Sequence, residues 1–346
     1  MITSESLTPR EIQAKPLNHR RRLAQKVETK RLNLHLTKKV NAQKLMFSDP
    51  SNQQVDDLSL KPLGSLLRSS KGIRELDLHF PQNRKIKNSE MDPISQGLKN
   101  VHSLQTIKVA IPNCKLSPNI GCYHLFQSLK RLPHVQSFTL EISSRSEIID
   151  QSLYFIGQGM KGLGLLRNLS ISFELSKVKD KGLNFISNCL KKFRYLEKLS
   201  FELSNCPQIT DKGLTNFSSN LKKIAPLKEI TLHVWQCSKA TESGFCEVFD
   251  ALGKLATLQK VNFAFTGELE RPNGALFSFD RGLKKLSGLE TLDLHFGFYF
   301  KFDDEGMYYL GESLAELVHL KKLTLCLMAC SNMNEGWYIS VKDCPI

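Results

Sequence analysis

The sequence predicts an α/β solenoid, in which one strand–helix unit recurs along the chain and successive units stack side by side. Three observations predict this class. An apolar signature occurs nine times at steps of 30 or 31 residues, apolar spacing changes from a helical to a strand period within each unit, and a polar residue marks each helix start. The nine anchor positions are Leu76, Ile107, Phe138, Leu169, Leu199, Ile230, Val261, Leu292 and Leu323.

Residues 211–234 show what one unit contains. Between residues 214 and 224 the apolar side chains are spaced by 3, 4 and 3 positions, which places them on one face of a helix. Between residues 230 and 234 apolar and polar side chains alternate, which is typical of a half-buried strand. Each unit is therefore predicted to be a helix followed by a strand.

An acidic or amide residue stands about twelve positions after each anchor, and we predict that these residues cap the helix N-termini. They are Asn88, Asn119, Asp150, Asp180, Asp211, Glu242, Asn273, Asp304 and Glu335. A glycine often follows one or two residues later. We expect these glycines to leave room for close packing between neighbouring units. They are Gly121, Gly182, Gly213, Gly244, Gly274, Gly306 and Gly336.

The chain divides into a basic arm over residues 1–41, predicted to be partly disordered, and one repeat domain over residues 42–346. The arm contains Arg20, Arg21 and Arg22 and is either a flexible tether, a nuclear import signal or, near its end, a strand that covers the first repeat. Leu45 lies 31 residues before the first anchor and predicts a degenerate N-terminal cap unit. A further unit opens at residues 333–337, and either it folds back over the last strand or the chain is shortened there.

The residues 196–214 carry a resemblance to a known family. Their pattern Leu-x-x-Leu-x-Phe-x-Leu followed by Ile-x-Asp-x-Gly-Leu resembles the leucine-rich repeats of the ribonuclease-inhibitor-like (RNI-like) superfamily. The resemblance implies a horseshoe with parallel strands on the concave face, helices on the convex face, and protein partners. The units are longer than the roughly 20–29 residues of most leucine-rich repeats. They also lack a regular Asn or Cys ladder after the strand, since only Asn205 and Cys206 resemble one.

Polar residues between the apolar strand positions are predicted to face the concave side, because successive strand side chains point to opposite faces. This surface is acidic in a chain of formal net charge +14. It suits a protein segment with basic or hydrogen-bonding groups, with the indole as an anchor, although simple solvation is the alternative. The candidate partner-binding residues are Asp77, His79, Lys108, Glu141, Glu174, Glu202, His233, Trp235, Asp293 and His295.

A second candidate surface, which we call the basic ridge, stands where the helices are predicted to end. Its residues are Lys99, Lys130, Arg131, Lys161, Lys191, Lys192, Lys222, Lys223, Lys284 and Lys285. Cations are favourable at helix C-termini for structural reasons alone. Stacked in register they also suit an acidic polymer or an anionic surface. The sequence shows no aromatic interleaving along the ridge, so we expect no sequence-specific nucleic-acid binding.

No phosphate-cradling glycine loop, zinc-binding His-Glu-x-x-His or Gly-x-Ser-x-Gly motif occurs, and the histidines do not cluster at ligand spacing. The sequence thus predicts a noncatalytic scaffold, with no cofactor and no metal site, that binds another protein as a monomer. Alternatives are a substrate-recognition adaptor of a ubiquitin ligase and a Ran-type GTPase-activating protein. The first lacks an F-box-like segment here, and the second lacks an acidic tail and an assignable arginine.

Cysteine and hydropathy patterns predict the compartment. Nine cysteines without any Cys-x-x-Cys pair indicate a reduced, intracellular protein. No apolar run approaches the roughly 18 residues of a membrane span, and no secretory signal is evident. We expect the cytoplasm, with the nucleus as an alternative.

Overall fold

Strands and helices alternate along the chain. The computed structural model describes residues 43–48, 60–70, 72–80, 85–86, 88–112, 115–116, 120–143, 150–174, 177–266, 272–297, 304–328 and 337–342. Within these residues the helices are α1 (Lys61–Ser69), α2 (Asn88–Leu98), α3 (Ile120–Leu129), α4 (Asp150–Met160), α5 (Asp180–Leu190), α6 (Asp211–Leu221), α7 (Glu242–Leu252), α8 (Pro272–Leu283) and α9 (Asp304–Ala315). None of them is long and apolar enough to cross a membrane.

The strands form one large sheet and one small one. They are β1 (Lys44–Ser48), β2 (Glu75–His79), β3 (Lys85–Ile86), β4 (Thr106–Pro112), β5 (Lys115–Leu116), β6 (Ser137–Ser143), β7 (Asn168–Glu174), β8 (Lys198–Ser204), β9 (Glu229–Trp235), β10 (Lys260–Thr266), β11 (Thr291–Gly297), β12 (Lys322–Met328) and β13 (Trp337–Lys342). The large sheet has the order β1-β2-β4-β6-β7-β8-β9-β10-β11-β12-β13, and β3 pairs with β5.

The pairing register confirms the repeat that the sequence predicts. Leu76 lies opposite Ile107, and each later anchor lies opposite the next, through Leu292 opposite Leu323. Leu45 in β1 lies opposite Leu76, as the predicted N-terminal cap requires. One step of 30 or 31 residues is therefore one strand step in a parallel sheet.

The helices pack on one face of this sheet and leave the other face open. In β8, Leu199, Phe201 and Leu203 are buried while the intervening side chains are half-buried, and the Phe201 ring lies 4.8 Å from that of Phe217 in α6. Strands stack at about 4.8 Å and helices need roughly 10 Å. The stack therefore curves with the sheet on its concave side, which is the fold of a leucine-rich-repeat-like solenoid.

The C-terminal end departs from the repeat. The repeat predicts that a helix begins at Glu335, which lies outside the described residues. Residues 337–342 form strand β13, which pairs antiparallel with β12 and brings Tyr338 opposite Cys326. The chain thus folds back along the last parallel strand, which is the first of the two predicted alternatives, and the helix prediction is wrong for these residues.

The predicted caps also need correction. Asp180 and Asp211 are the first residues of α5 and α6, and the N-cap positions belong to Lys179 and Thr210. The aspartate carboxylates instead accept hydrogen bonds from the next repeat, as when Asp180 Oδ1 accepts from the Thr210 backbone N–H at 2.8 Å. The glycine prediction is confirmed at Gly213, because a Cβ there would lie 2.4 Å from Asp180 Oδ1. Residues 1–41, with the arginine cluster, lie outside the described residues.

Candidate functional site

A row of four hydroxyl groups crosses the middle of the concave face. Thr139, Ser170, Ser200 and Thr231 come from the adjacent strands β6 to β9 and lie opposite one another in the pairing register. We call this set the hydroxyl row. All four side chains are half-buried, and they line a shallow depression of about 270 Å³. Because parallel strands stack at about 4.8 Å, a ligand lying along the row meets one hydroxyl per strand.

Carboxylates flank the hydroxyl row on its C-terminal side. Glu141, Ser172 and Glu202 are in register on β6, β7 and β8, so two carboxylates lie on either side of one serine. Glu174 lies two residues beyond Ser172 on β7 and is exposed. The structure therefore brings three of the predicted site residues into one patch, which we call the glutamate patch and define as Glu141, Glu174 and Glu202.

An exposed indole borders the glutamate patch. Trp235 is in register with Ser204, which is in register with Glu174, and the Trp235 side chain is 38% exposed. The His233 ring meets the indole edge to face at 5.9 Å. His233 Nε2 lies 3.0 Å from Asn262 Oδ1, and Nδ1 lies 3.7 Å from a Glu202 carboxylate oxygen. These contacts hold the imidazole, and with it one side of the indole, in place.

Part of the predicted acidity is neutralised within the face. Lys108 Nζ pairs with Glu141 at 2.7 Å, and this hydrogen bond raises the pKa of Lys108. Lys322 pairs with Asp293 at 3.1 Å. Glu174 has no ion pair to any residue that the structure describes. The carboxylates that remain open to a partner are therefore concentrated at Glu174 and Glu202.

The outer candidates do not join this patch. Asp77 and His79 lie on β2, and Asp293 and His295 lie on β11, seven strand steps away. At about 4.8 Å per step this separation exceeds 30 Å. Burial lowers the pKa of His295, and the nearby His233 and Lys322 act in the same direction against Asp293. The predicted set thus forms a central patch with Glu141, Glu174, Glu202, His233 and Trp235, and two distant ends.

Two ion-pair rows at the N-terminal ends of the strands escaped the sequence analysis. Glu197 pairs with Arg167 and, at 3.3 Å, with Lys228. Hydrogen bonding from Lys228 lowers the pKa of Glu197. Glu229 lies between Lys198 at 2.9 Å and Lys260 at 3.3 Å. Burial alone would raise the pKa of Glu229, but the two lysines outweigh it and lower the value. Charges of opposite sign one repeat apart were the available signal.

The loop after the strand contains two buried thiols where the sequence indicated one. Asn205 and Gln236 adopt positive φ angles of 52° and 50° directly after β8 and β9. The following residues, Cys206 and Cys237, are buried. The Cys237 thiol donates to the Leu203 carbonyl oxygen, one repeat earlier, at 3.9 Å. Hydrogen bonding with Cys206, together with burial, raises the pKa of the Cys237 thiol. These residues form a short ladder of the kind that the whole chain lacks.

The basic ridge lies at one edge of the stack. Lys191 and Lys222 occupy the C-cap positions of α5 and α6, and the other ridge residues lie at corresponding helix ends and turns. Apart from Lys99, which is half-buried, the ridge residues are exposed. The prediction that no aromatic side chain interleaves with them is wrong, because Tyr195 lies among them and is 51% exposed. Its repeat position gave no periodic signal, since other units have different residues there.

An aromatic series on the convex helices was also missed. The ring of Tyr123 in α3 meets Phe155 in α4 edge to face at 5.1 Å, and Tyr154 in α4 meets Phe185 in α5 at 5.2 Å. Lys181 Nζ lies 5.8 Å from the centre of the Phe185 ring. These contacts join three successive helices across their outer surface, so they stabilise the stacking of the repeats.

Comparisons with known proteins add little to this geometry. No family model matches the sequence, and no curated protein matches it. A solved structure titled "Leiomodin-1 Actin-Binding Site 2 (ABS2)" aligns with a TM-score of 0.33 and 15% sequence identity, over 47% of this chain and 88% of that chain. A similarity this low supports no functional assignment.

The described part of the chain shows no group of three or more His, Cys, Asp or Glu side chains placed to hold a metal ion. What the concave face offers instead is hydrogen-bond donors and acceptors, open carboxylates and one indole. This chemistry suits recognition of a polypeptide surface.

Proposed function

We propose that this protein is a noncatalytic scaffold that binds a protein partner on its concave face, centred on the hydroxyl row and the glutamate patch. The observation that carries the proposal is the half-exposed Trp235 beside open carboxylates at the rim of a shallow polar depression. We assign the repeats to the RNI-like subtype, supported by the strand–helix unit of 30 or 31 residues and the thiols after β8 and β9. Free thiols at these positions suit a reducing, cytoplasmic environment.

The chemistry of the face specifies the partner segment. Hydroxyl groups accept and donate hydrogen bonds, and spaced about 4.8 Å apart they can satisfy the backbone or polar side chains of an extended segment. Glu174 and Glu202 add negative charge, so a lysine or arginine of the segment is favoured there. Trp235 can contribute apolar contact or stack on a guanidinium group, and tryptophan is among the residues that most often dominate binding energy.

A peptide selection tests the proposed concave-face site directly. We would immobilise the wild-type protein and select from a random peptide display library, with counter-selection against the variant E174Q/E202Q/W235A. We expect enriched peptides to contain arginine or lysine next to an apolar residue. Their synthetic forms should bind the triple variant at least about 30-fold more weakly, because a central interface residue typically contributes about 2 kcal/mol or more.

A matched control replaces three exposed carboxylates on the helix side. The variant E247Q/E312Q/E316Q carries the same loss of negative charge as a triple glutamate change and leaves the concave face intact. Its peptide affinity should equal that of the wild type. Selection of acidic peptides, or equal binding by E174Q/E202Q/W235A, would contradict the proposed site.

A further inference from the structure

One edge of the stack contains cations and no carboxylates over seven consecutive repeats. We define the turn edge as the six residues that begin eight positions before each anchor, from residues 99–104 to residues 284–289. These segments contain twelve lysines and arginines and no aspartate or glutamate. The cations are Lys99, Lys130, Arg131, Lys161, Lys191, Lys192, Arg194, Lys222, Lys223, Lys254, Lys284 and Lys285.

Helix capping accounts for only part of this charge. Lys191 and Lys222 are C-cap residues, where the helix dipole favours a cation. Lys192, Arg194 and Lys223 lie beyond the helix ends, where that attraction falls off. Arg131, Lys254 and Lys285 occupy the corresponding places in other repeats. The excess of charge therefore exceeds what the helix termini need.

Most of these cations have no partner in the part of the chain that the structure describes. Lys284 pairs with Asp280 at 3.0 Å, and Lys191 Nζ donates to Asn188 Oδ1 at 3.2 Å. The other ten make no ion pair with a described residue. Their charge is thus directed into solvent along the edge.

Two exposed apolar side chains lie at the centre of the turn edge. Leu165 is 42% exposed and Tyr195 is 51% exposed. Each stands four residues before the anchor of its repeat, so they occupy the same position in adjacent units, on the turns that lead into β7 and β8. Lys161 and Arg194 flank them in sequence. A single exposed leucine is ordinary, but an adjacent apolar pair surrounded by unpaired cations is a combination that suits an anionic interface with an apolar layer beneath it.

We propose that the turn edge docks on the surface of an anionic lipid bilayer, with Leu165 and Tyr195 entering the headgroup region. The shape of the stack supports this occupant. Equivalent positions in units that curve in one plane trace an arc within that plane, so the edge is flat even though the sheet is curved. Many cations can therefore contact a flat anionic surface at the same time, and each contributes about 1 kcal/mol near such a surface.

A nucleic acid fits the same observations less well. Ten of the twelve cations are lysines, which act as point charges and lack the planar fork of arginine that reads phosphates and bases. A single-strand binding groove presents several aromatic side chains for base stacking, whereas Tyr195 is one ring beside an aliphatic side chain. Leu165 contributes nothing to a phosphate backbone but gains from burial among lipid headgroups.

This docking leaves the concave face available. The turn edge lies at the N-terminal ends of the strands, so a bilayer at this edge meets the sheet side-on and does not cover Trp235. The proposal is therefore independent of the concave-face function, and either can fail without the other.

Vesicle sedimentation with the full chain tests the proposal. We expect binding to phosphatidylcholine vesicles that contain phosphatidylserine and none to phosphatidylcholine alone. The variant K191Q/K192Q/R194Q should bind the anionic vesicles on the order of 100-fold more weakly, as expected for three cations at about 5-fold each. The variant L165S/Y195S should lose at least about 10-fold, because it removes the apolar contribution and leaves the charge unchanged.

A charge-matched control separates the edge from net charge. K177Q/K212Q/K239Q removes three exposed lysines from the opposite edge, where the strands lead into the helices, and should retain wild-type binding within about 3-fold. All substituted side chains are exposed, so unchanged thermal unfolding of each variant would verify folding. Equal loss in this control, absence of binding to anionic vesicles, or tight binding of a uridine oligonucleotide without vesicle binding would each overturn the proposal.

Discussion

The carboxylate of Asp180 holds Thr210, thirty residues further along the chain, by two hydrogen bonds. Oδ1 accepts from the Thr210 backbone N–H at 2.8 Å, and Oδ2 accepts from the hydroxyl Oγ1 at 2.6 Å. The same arrangement joins Asp211 to Thr241. The first residue of one helix thus fixes the N-cap residue of the next, and the helical layer is tied from repeat to repeat as the strand layer is.

We predict that Asp180→Ala lowers the free energy of unfolding by about 2 kcal/mol, because a partly buried N-cap loses both hydrogen bonds to a charged acceptor. Thr210→Val should cost about 1 to 2 kcal/mol, since it removes the hydroxyl that also caps α6 through the Lys212 backbone N–H. Thr210→Ser keeps the hydroxyl and should cost less than about 0.5 kcal/mol. Urea unfolding measures all three, and a Thr210→Ser cost equal to that of Thr210→Val would show that the hydroxyl is not the stabilising group.

Glycine at position 213 should be required for this contact. We predict that Gly213→Ala costs about 1 to 3 kcal/mol, because the new Cβ would lie 2.4 Å from Asp180 Oδ1, an atom already held by Thr210. Gly311→Ala in α9 is the matched control, since no other residue's atoms lie within 4 Å of a Cβ there. That change should stabilise by about 0.5 to 1 kcal/mol through helix propensity. Equal effects at the two positions in thermal unfolding would contradict the packing argument.

The ion-pair row around Glu197 should make stability depend on pH in acid. The folded-state pKa of Glu197 is lowered from its ordinary value of 4.5, so the unfolded chain binds more protons in this range. Its contribution is present above pH 4.5 and is lost as the pH falls through the lower folded value. Glu197→Gln should therefore melt at a lower temperature than wild type at pH 7, and the difference should shrink below pH 4.5. A difference that is constant with pH would exclude this cause.

The buried thiols should be unreactive in the folded protein. Burial raises the pKa of Cys189 to about 12, so the thiolate that reacts with alkylating reagents is scarce at pH 8. We predict that iodoacetamide leaves Cys189, Cys206 and Cys237 unmodified in native protein and modifies them in guanidinium chloride. Cys246 is only half-buried and should react earlier than these three. Peptide mass spectrometry after timed alkylation measures the order, and early modification of Cys189 would contradict the buried placement.

The sequence predicted most of the fold because a repeat makes equivalent residues visible. Apolar alternation from Ile230 to Val234 identified β9, and the 31-residue step placed Ile230 opposite Leu199, as the structure shows. The central candidates Glu174, Glu202 and Trp235 were also predictable, since strand alternation fixes the face on which a side chain lies. Their binding role is still a prediction.

Side-chain partners were less predictable. The position of Asp180 suggested an N-cap, but its carboxylate bonds to the next repeat, because the helices stack closely enough for an inter-repeat acceptor to reach Thr210. Glu141 was counted as an open acid, yet Lys108 on the neighbouring strand neutralises it at 2.7 Å. Tyr195 was not recognised as exposed, since a residue that breaks the repeat has no equivalents from which to infer its environment.

The sequence alone determined the architecture: the spacing of Leu76, Ile107 and the later anchors allows only units that bury their apolar faces against one another in a parallel stack. Only the tertiary structure decided which charges stay open, as at Glu174, and which are paired, as at Glu197. The physical reason is that periodicity specifies the direction of each side chain, whereas pairing depends on distances of a few ångströms between residues about thirty positions apart.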